Sequence, residues 1–261
     1  MNCLIETALL THGLRSIANE ELAQSWHCPD AILAWVDGGE LKIGPIGEYL
    51  PFRERSEELV RIDCDHLEEA RQSRASGALT ASGTMAVCRR LDIPMAITCG
   101  MGGIGDLRGE ELCPDLPALM NIPVALISTS PKDMLDRPAT LDWLRRHGVH
   151  TAGAPWTGYL FCGEPVALEL PLSSCNNEAA VRRLTANGGL LLLNPIPEKE
   201  RVQDRSILVD AIKAGKQAEA EGHYYHPAAN GEIDRRTGGY SSRIQLESIQ
   251  QNYLLAKSIM D

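Results

Sequence analysis

Short apolar runs alternate along this chain with stretches whose apolar residues recur at helical spacing. Strand-like runs are expected at residues 3–10, 31–36, 59–62, 95–98, 124–127, 149–152, 159–162 and 189–193. Helical patterns are expected between them, at 17–26, 66–73, 80–91, 114–120, 140–147, 178–186, 204–221 and 241–260. The alternation predicts an α/β fold, a three-layer α/β/α domain with a largely parallel mixed sheet. Strand–helix–strand units of this kind close right-handed and bury the strands between two helical layers. One such domain over residues 1–261 has ample chain for a large core. Two segments read as excursions from the main sheet: 35–51, which holds the hairpin signal DGGELKIG, and 163–171. The last pattern, with Leu246, Ile249, Tyr253, Leu254 and Ile259 near helical spacing, predicts a long helix packed on the domain or on a partner subunit.

Charge narrows the classes of partner. With 25 basic and 35 acidic side chains the chain carries a formal charge of −10. This argues against a nucleic-acid or anionic-membrane partner, both of which need a basic face. No apolar run approaches the roughly 18 residues of a membrane span, and no basic-then-apolar leader opens the sequence. The eight cysteines include no CxxC pair, so they read as free thiols of a reducing, cytoplasmic setting.

Chemistry concentrates where apolar runs end. The run at 95–98 empties into a loop with Gly100, Gly102, Gly103, Gly105 and Gly109. The acids Glu110, Glu111 and Asp115 follow, then a second apolar run, then Lys132 in a polar turn. Neither nucleotide-binding glycine fingerprint is present, though the loop's amides can form an anion nest. A lysine after a strand is most often a solvated surface residue. Desolvated, it can attack a carbonyl carbon and form a Schiff base. Glu6 interrupts the apolar run CLIETALL, where a carboxyl is costly to bury unless paired or functional. An apolar setting suits it to general acid work. Glu111 can hold a hard divalent ion, while Asp115 opens a helix. TASGTM, residues 80–85, gives a helix a hydroxyl-rich N-terminus suited to phosphate or sugar oxygens. Asn194, in the rigid turn NPIPE, either faces a site or simply ends a strand. The HxxH pairs His147/His150 and His223/His226 read as chance surface spacing, since no third metal ligand stands near them.

Taken together, LIETALLTHG, DGGELKIG, ALTASGTM, GGIGDLRG, CPDL, SPKDMLD, GGLLLLNPIPE and TGGYSSRIQL, in this order, resemble the pseudouridine-5′-phosphate glycosidase family, which includes the indigoidine synthase A-like proteins. The resemblance spans nearly the whole chain. It implies an enzyme that reversibly cleaves the C–C glycosidic bond of pseudouridine 5′-phosphate to uracil and ribose 5-phosphate, working as a homotrimer. It implies Lys132 as the nucleophile that forms an imine at the sugar's C1′, and Glu6 as the acid that helps open the ribose ring. Glu111 falls where the family holds a divalent metal, usually manganese. Cys113, Pro114 and Asp115 match its substrate-binding Ser-Ala-Asp, Arg61 a substrate-binding lysine, and Ala81 a valine whose backbone touches substrate. Asn194 joins them as a substrate-binding candidate from its own turn. The chain departs from the family at Arg61, Glu111, Cys113 and Arg243. These changes gather at the expected ligand site. They raise a second expectation, a C-glycosynthase that joins ribose 5-phosphate to a ring other than uracil. A third, of another class, is a catalytically silent sugar-phosphate-binding protein, although a pure binder needs neither Glu6 nor Lys132.

Overall fold

The computed structural model describes residues 1–105, 113–186, 188–223 and 225–260. Its strands are β1 (Cys3–Ile5), β2 (Leu33–Asp37), β3 (Glu40–Gly44), β4 (Val60–Ile62), β5 (Gly77–Leu79), β6 (Met95–Ile97), β7 (Gly100–Met101), β8 (Ala125–Ser128), β9 (Ser130–Pro131), β10 (His150–Gly153), β11 (Trp156–Gly158), β12 (Gly163–Pro165) and β13 (Leu190–Leu193). Its α-helices are α1 (Asn19–Ser25), α2 (Ile46–Arg53), α3 (Leu67–Gln72), α4 (Ala81–Arg90), α5 (Asp115–Asn121), α6 (Arg137–Arg146), α7 (Glu178–Thr185), α8 (Ser206–Ala220), α9 (Tyr225–Arg236) and α10 (Tyr240–Met260).

Nine strands form one sheet in the order β10-β13-β8-β6-β1-β2-β5-β4, with β3 also paired to β2. The run from β10 through β2 is parallel throughout, while β3 and β5 lie antiparallel to β2. Strand residues alternate between two apolar cores. Ile5, Leu33, Met95, Ile97, Ile127, Leu190 and Leu192 pack on the face covered by α10 and its neighbours. Leu4, Ala34, Ala96, Leu126, Leu191 and Leu193 pack on the other, against Met85, Leu116 and Leu144 of α4, α5 and α6. Burial on both faces explains why these strands read as continuous apolar runs and not as alternating ones.

The structure corrects several boundaries. The run expected as a strand over 3–10 is a strand only to Ile5. The chain then winds into a π-helical turn, Leu9–Gly13. Residues 35–51 are no excursion: β3 joins the main sheet through a two-residue turn. Gly38 and Gly39 both take the left-handed φ (+60° and +82°) that turn requires, and α2 follows. The expected strand at 159–162 is instead the link between β11 and β12, which form their own antiparallel ribbon. Helix α9 was not expected. All eight cysteines are free. Among the described residues, no helix is long and apolar enough to cross a membrane.

Candidate active site

Three adjacent parallel strands bring the key residues to one sheet edge. β1 ends into Glu6, β6 into Gly100–Met101 and β8 into Ser130–Pro131, which precede Lys132. The short pair β7–β9 then ties the last two exits together, so Gly100 and Lys132 face one another. Loops at the carboxyl ends of parallel strands are where α/β folds place ligands. Gly100 has a specific reason to lack a side chain. A β-carbon there would sit 2.6 Å from the Tyr159 ring and 3.1 Å from Lys132 Cγ. Tyr159 is held in place by donating its hydroxyl hydrogen to Gln245 Oε1 at 2.7 Å.

Glu6 and Lys132 line one narrow lobe together with His12, Arg61, Gly100, Tyr159, His226 and Asn230. Lys132, Arg61 and His226 continue into a wider cleft of about 470 Å³, whose walls include Thr80, Ser82, Gly102, Cys113, Pro114 and Asp115. That is the size range of a small-ligand site. A larger hollow, about 800 Å³, opens beyond His12 and Arg61, but Glu6 and Lys132 do not line it. Lys132 is half-buried, and neither it nor Arg61 has an ion-pair partner among the described residues. Two cations uncommitted to acids at a cleft wall make a site for an anionic ligand.

Glu6 is buried, and burial pushes its carboxyl up to about 7. A hydrogen bond donated by Thr98 Oγ1 to Glu6 Oε1 at 2.7 Å, and the charges of Lys132 and Arg61, pull the other way without cancelling it. Its acid form is therefore well populated near neutral pH, as a general acid requires. Asp115 is buried and occupied by backbone: its two carboxylate oxygens accept from Ser82 N at 3.0 Å and Gly102 N at 2.8 Å. It thereby fixes the start of α4, where Thr80 also caps, against the glycine loop. Ala81 is buried in that first turn, between Thr80 and Ser82, which line the cleft. Burial and the nearby Asp115 push the Cys113 thiol up to about 12, so it stays protonated.

Two expectations need correction. Asn194 does not line the cleft: its Nδ2 donates to Asn252 Oδ1 at 2.9 Å, and Asn252 Nδ2 donates in turn to the Thr98 carbonyl at 2.7 Å. Asn194 therefore supports the backbone behind Glu6. His226 is not a surface residue. Helix α9 carries it into the cleft, where its Nδ1 is buried. Burial, with the charges of Lys132 and Arg61, holds its imidazole well below the usual histidine range. The other three fit the expected surface reading better: His147 and His223 are exposed, and half-buried His150 pairs with Glu169.

The loop that follows Glu6 is held by a residue the sequence did not single out. Buried Arg53 donates to the carbonyls of Leu10 (2.6 Å), Leu14 (2.9 Å) and Ile17 (2.8 Å), and to Asn19 Oδ1 (2.6 Å). Replacing it by methionine keeps the aliphatic bulk but strands those acceptors. Arg53→Met is expected to lose about 3 kcal/mol or more of stability, read by urea denaturation, since each buried acceptor left unpaired costs about 1–3 kcal/mol.

Glu111, expected to hold a divalent ion such as manganese, lies outside the described residues. Among the described residues no group of three His, Cys, Asp or Glu side chains could hold a metal. The donors nearest the cleft are spoken for: Asp115 by two amides, and Cys113 by its proton. They do not fit the ion by themselves, and no step below runs through one.

Fold and cleft together define an α/β enzyme with a carboxyl group and an amine in one cationic cleft. The chain belongs to the indigoidine synthase A-like family, whose model matches residues 4–260. Pseudouridine-5′-phosphate glycosidase from Methylobacterium nodulans is 27% identical over 98% of this chain and 81% of its own. That from Petrotoga mobilis is 26% identical over 98% and 89%. Two solved structures share the fold over 98% of this chain and 91% of theirs. One is the prealnumycin C-glycosynthase AlnA in complex with ribulose 5-phosphate (TM-score 0.75, 22% identity). The other is an indigoidine synthase A-like protein from Thermotoga maritima (TM-score 0.76, 19% identity).

Proposed function

We propose that this enzyme makes or breaks the C–C glycosidic bond between ribose 5-phosphate and a nucleobase-like ring, through an imine on Lys132. The observation that carries the reading is the meeting of buried Glu6 with Lys132 in one narrow lobe that Arg61 also lines. The names of the glycosidase relatives support it. A C–C bond to a base does not yield to simple protonation as an N-glycoside does. Glu6, carrying a proton, gives it to the sugar's ring oxygen as the furanose opens. Opening leaves C1′ conjugated to the base through a double bond. The Lys132 lone pair bonds C1′ as that π pair moves into the ring, and the ring carbon takes a proton. The C1′–ring pair then returns to the ring as the nitrogen pair closes the imine, and water releases the sugar. Arg61 suits the phosphate, its guanidinium offering a fork of donors to phosphate oxygens. Run backwards, the same steps join a sugar phosphate to a carbon-nucleophilic ring.

A second reading concerns the ring. Cys113 offers the cleft a protonated thiol, a weaker hydrogen-bond donor than the serine hydroxyl of the family pattern, and Arg61 a planar fork in place of an ammonium. Both favour a C-glycosynthase for a ring other than uracil. The test is to incubate the enzyme with ribose 5-phosphate and a panel of rings including uracil, reading products by mass spectrometry. Coupling to any ring is the expected result; uracil as the best acceptor would defeat the second reading. No coupling with any ring, no cleavage of pseudouridine 5′-phosphate and tight ribose 5-phosphate binding would leave a sugar-phosphate-binding protein.

A further inference from the structure

Three buried polar atoms around the narrow lobe have no hydrogen-bond partner among the described residues: His12 Nε2, His226 Nδ1 and Asn230 Oδ1. Buried polar atoms are almost always satisfied, so three orphans lining one lobe mark a place built for something that arrives. Two of them, His226 and Asn230, stand one turn apart on α9 and so share a face of that helix. His226 differs from His12 in its reach. It lines both the narrow lobe that holds Glu6 and the wider cleft, and Lys132 lines the same two spaces. His12 lines the lobe but not that cleft.

We propose that His226 is a further catalytic residue, which takes the proton released when the Lys132 amine bonds to the sugar carbon and returns it to the departing oxygen. This rests on the lysine-imine reading above. The steps balance for the open-chain aldehyde of ribose 5-phosphate. The Nζ lone pair bonds C1, and the C1–O π pair moves to oxygen, which takes the proton of Glu6. The nitrogen, now carrying one proton too many, passes it to the Nδ1 lone pair of His226, with the other imidazole proton on Nε2. His226 then gives that proton to the new hydroxyl, which leaves as water while the nitrogen lone pair closes the C=N bond. The products are a protonated imine, the Glu6 carboxylate and water, and His226 ends as it began. Burial and the Arg61 charge facing His226 disfavour the imidazolium and favour the return transfer.

The test is borohydride trapping of ribose 5-phosphate on Lys132, timed by mass spectrometry, in wild type, His226→Ala and His226→Gln. Glutamine keeps much of the bulk and a hydrogen-bonding tip but cannot relay a proton, so it serves if the alanine variant folds poorly. The trapping rate at saturating sugar is expected to fall about 10²-fold in both variants. The half-saturating concentration stays within about twofold of wild type, and added imidazole restores much of the rate to His226→Ala alone. Trapping as fast as wild type, or slowed without rescue, overturns the proposal. No adduct on the wild-type enzyme overturns the lysine-imine reading and this inference with it; a wild-type adduct with unaffected variants sinks only the inference.

Discussion

Lys132→Met is expected to remove the trapped adduct altogether and to lower turnover on the order of 10⁵-fold or more, the range seen when a covalent nucleophile is deleted. Methionine keeps the unbranched stem that lies against the space over Gly100, so the fold is expected to survive. Lys132 makes no side-chain hydrogen bond among the described residues whose loss would destabilise the chain. The measurement pairs single-turnover kinetics with a thermal melt. A variant that melts with wild type yet still turns over at more than about a hundredth of its rate would remove the amine from the mechanism.

Glu6→Gln is expected to move activity and stability in opposite directions. Glutamine keeps the shape and can still accept from Thr98, but it has no proton to give. Turnover should fall about 10²- to 10⁴-fold. The stability effect follows from the carboxyl's rise to about 7 in the folded chain from 4.5. Below the unfolded value both states hold the proton and burial carries no ionisation penalty. As pH climbs from about 4.5 to 7 the unfolded chain releases the proton first, so wild type loses stability through that window and stays lower above it. Glutamine has nothing to release, so the variant should exceed wild type by up to ~3 kcal/mol at pH 8 and match it near pH 4. Denaturant curves at the two pH values read the difference. The same proton sets the activity profile: wild-type turnover should decline above about pH 7, as Glu6 ionises.

Much of the sheet was legible because strands buried on both faces leave unbroken apolar runs, and Leu190–Leu193 is the plainest. Glu6 stood out for a related reason: a carboxyl set inside such a run has few uses, whereas Lys132 stood out through its place after the glycine loop and the family resemblance. The misses share a cause too. Helix α9 carries Pro227 and Gly231 in a polar stretch, which mask the spacing of Tyr225, Ala229 and Ile233 along its buried side. Those three positions were the signal, and following them would have drawn His226 inward. Strand β5 is three residues long and lacks any run of its own. Asn194 was misread because a rigid turn after a strand fixes where the backbone goes but not which neighbour the amide finds. Here that neighbour, Asn252, lies far along the chain. Arg53 left no mark, since a surface arginine and one clasping three carbonyls look alike in sequence.

The hydrogen bond from Asn252 to the Thr98 carbonyl reaches from α10 to the residue that holds Glu6. During synthesis the acid and the amine leave the ribosome long before α10 does. A nascent chain therefore carries both reactive groups while the brace that settles the acid is still unmade. A cut between Lys132 and Asn252 would part that brace from Glu6 while leaving Glu6 and Lys132 on one piece of chain.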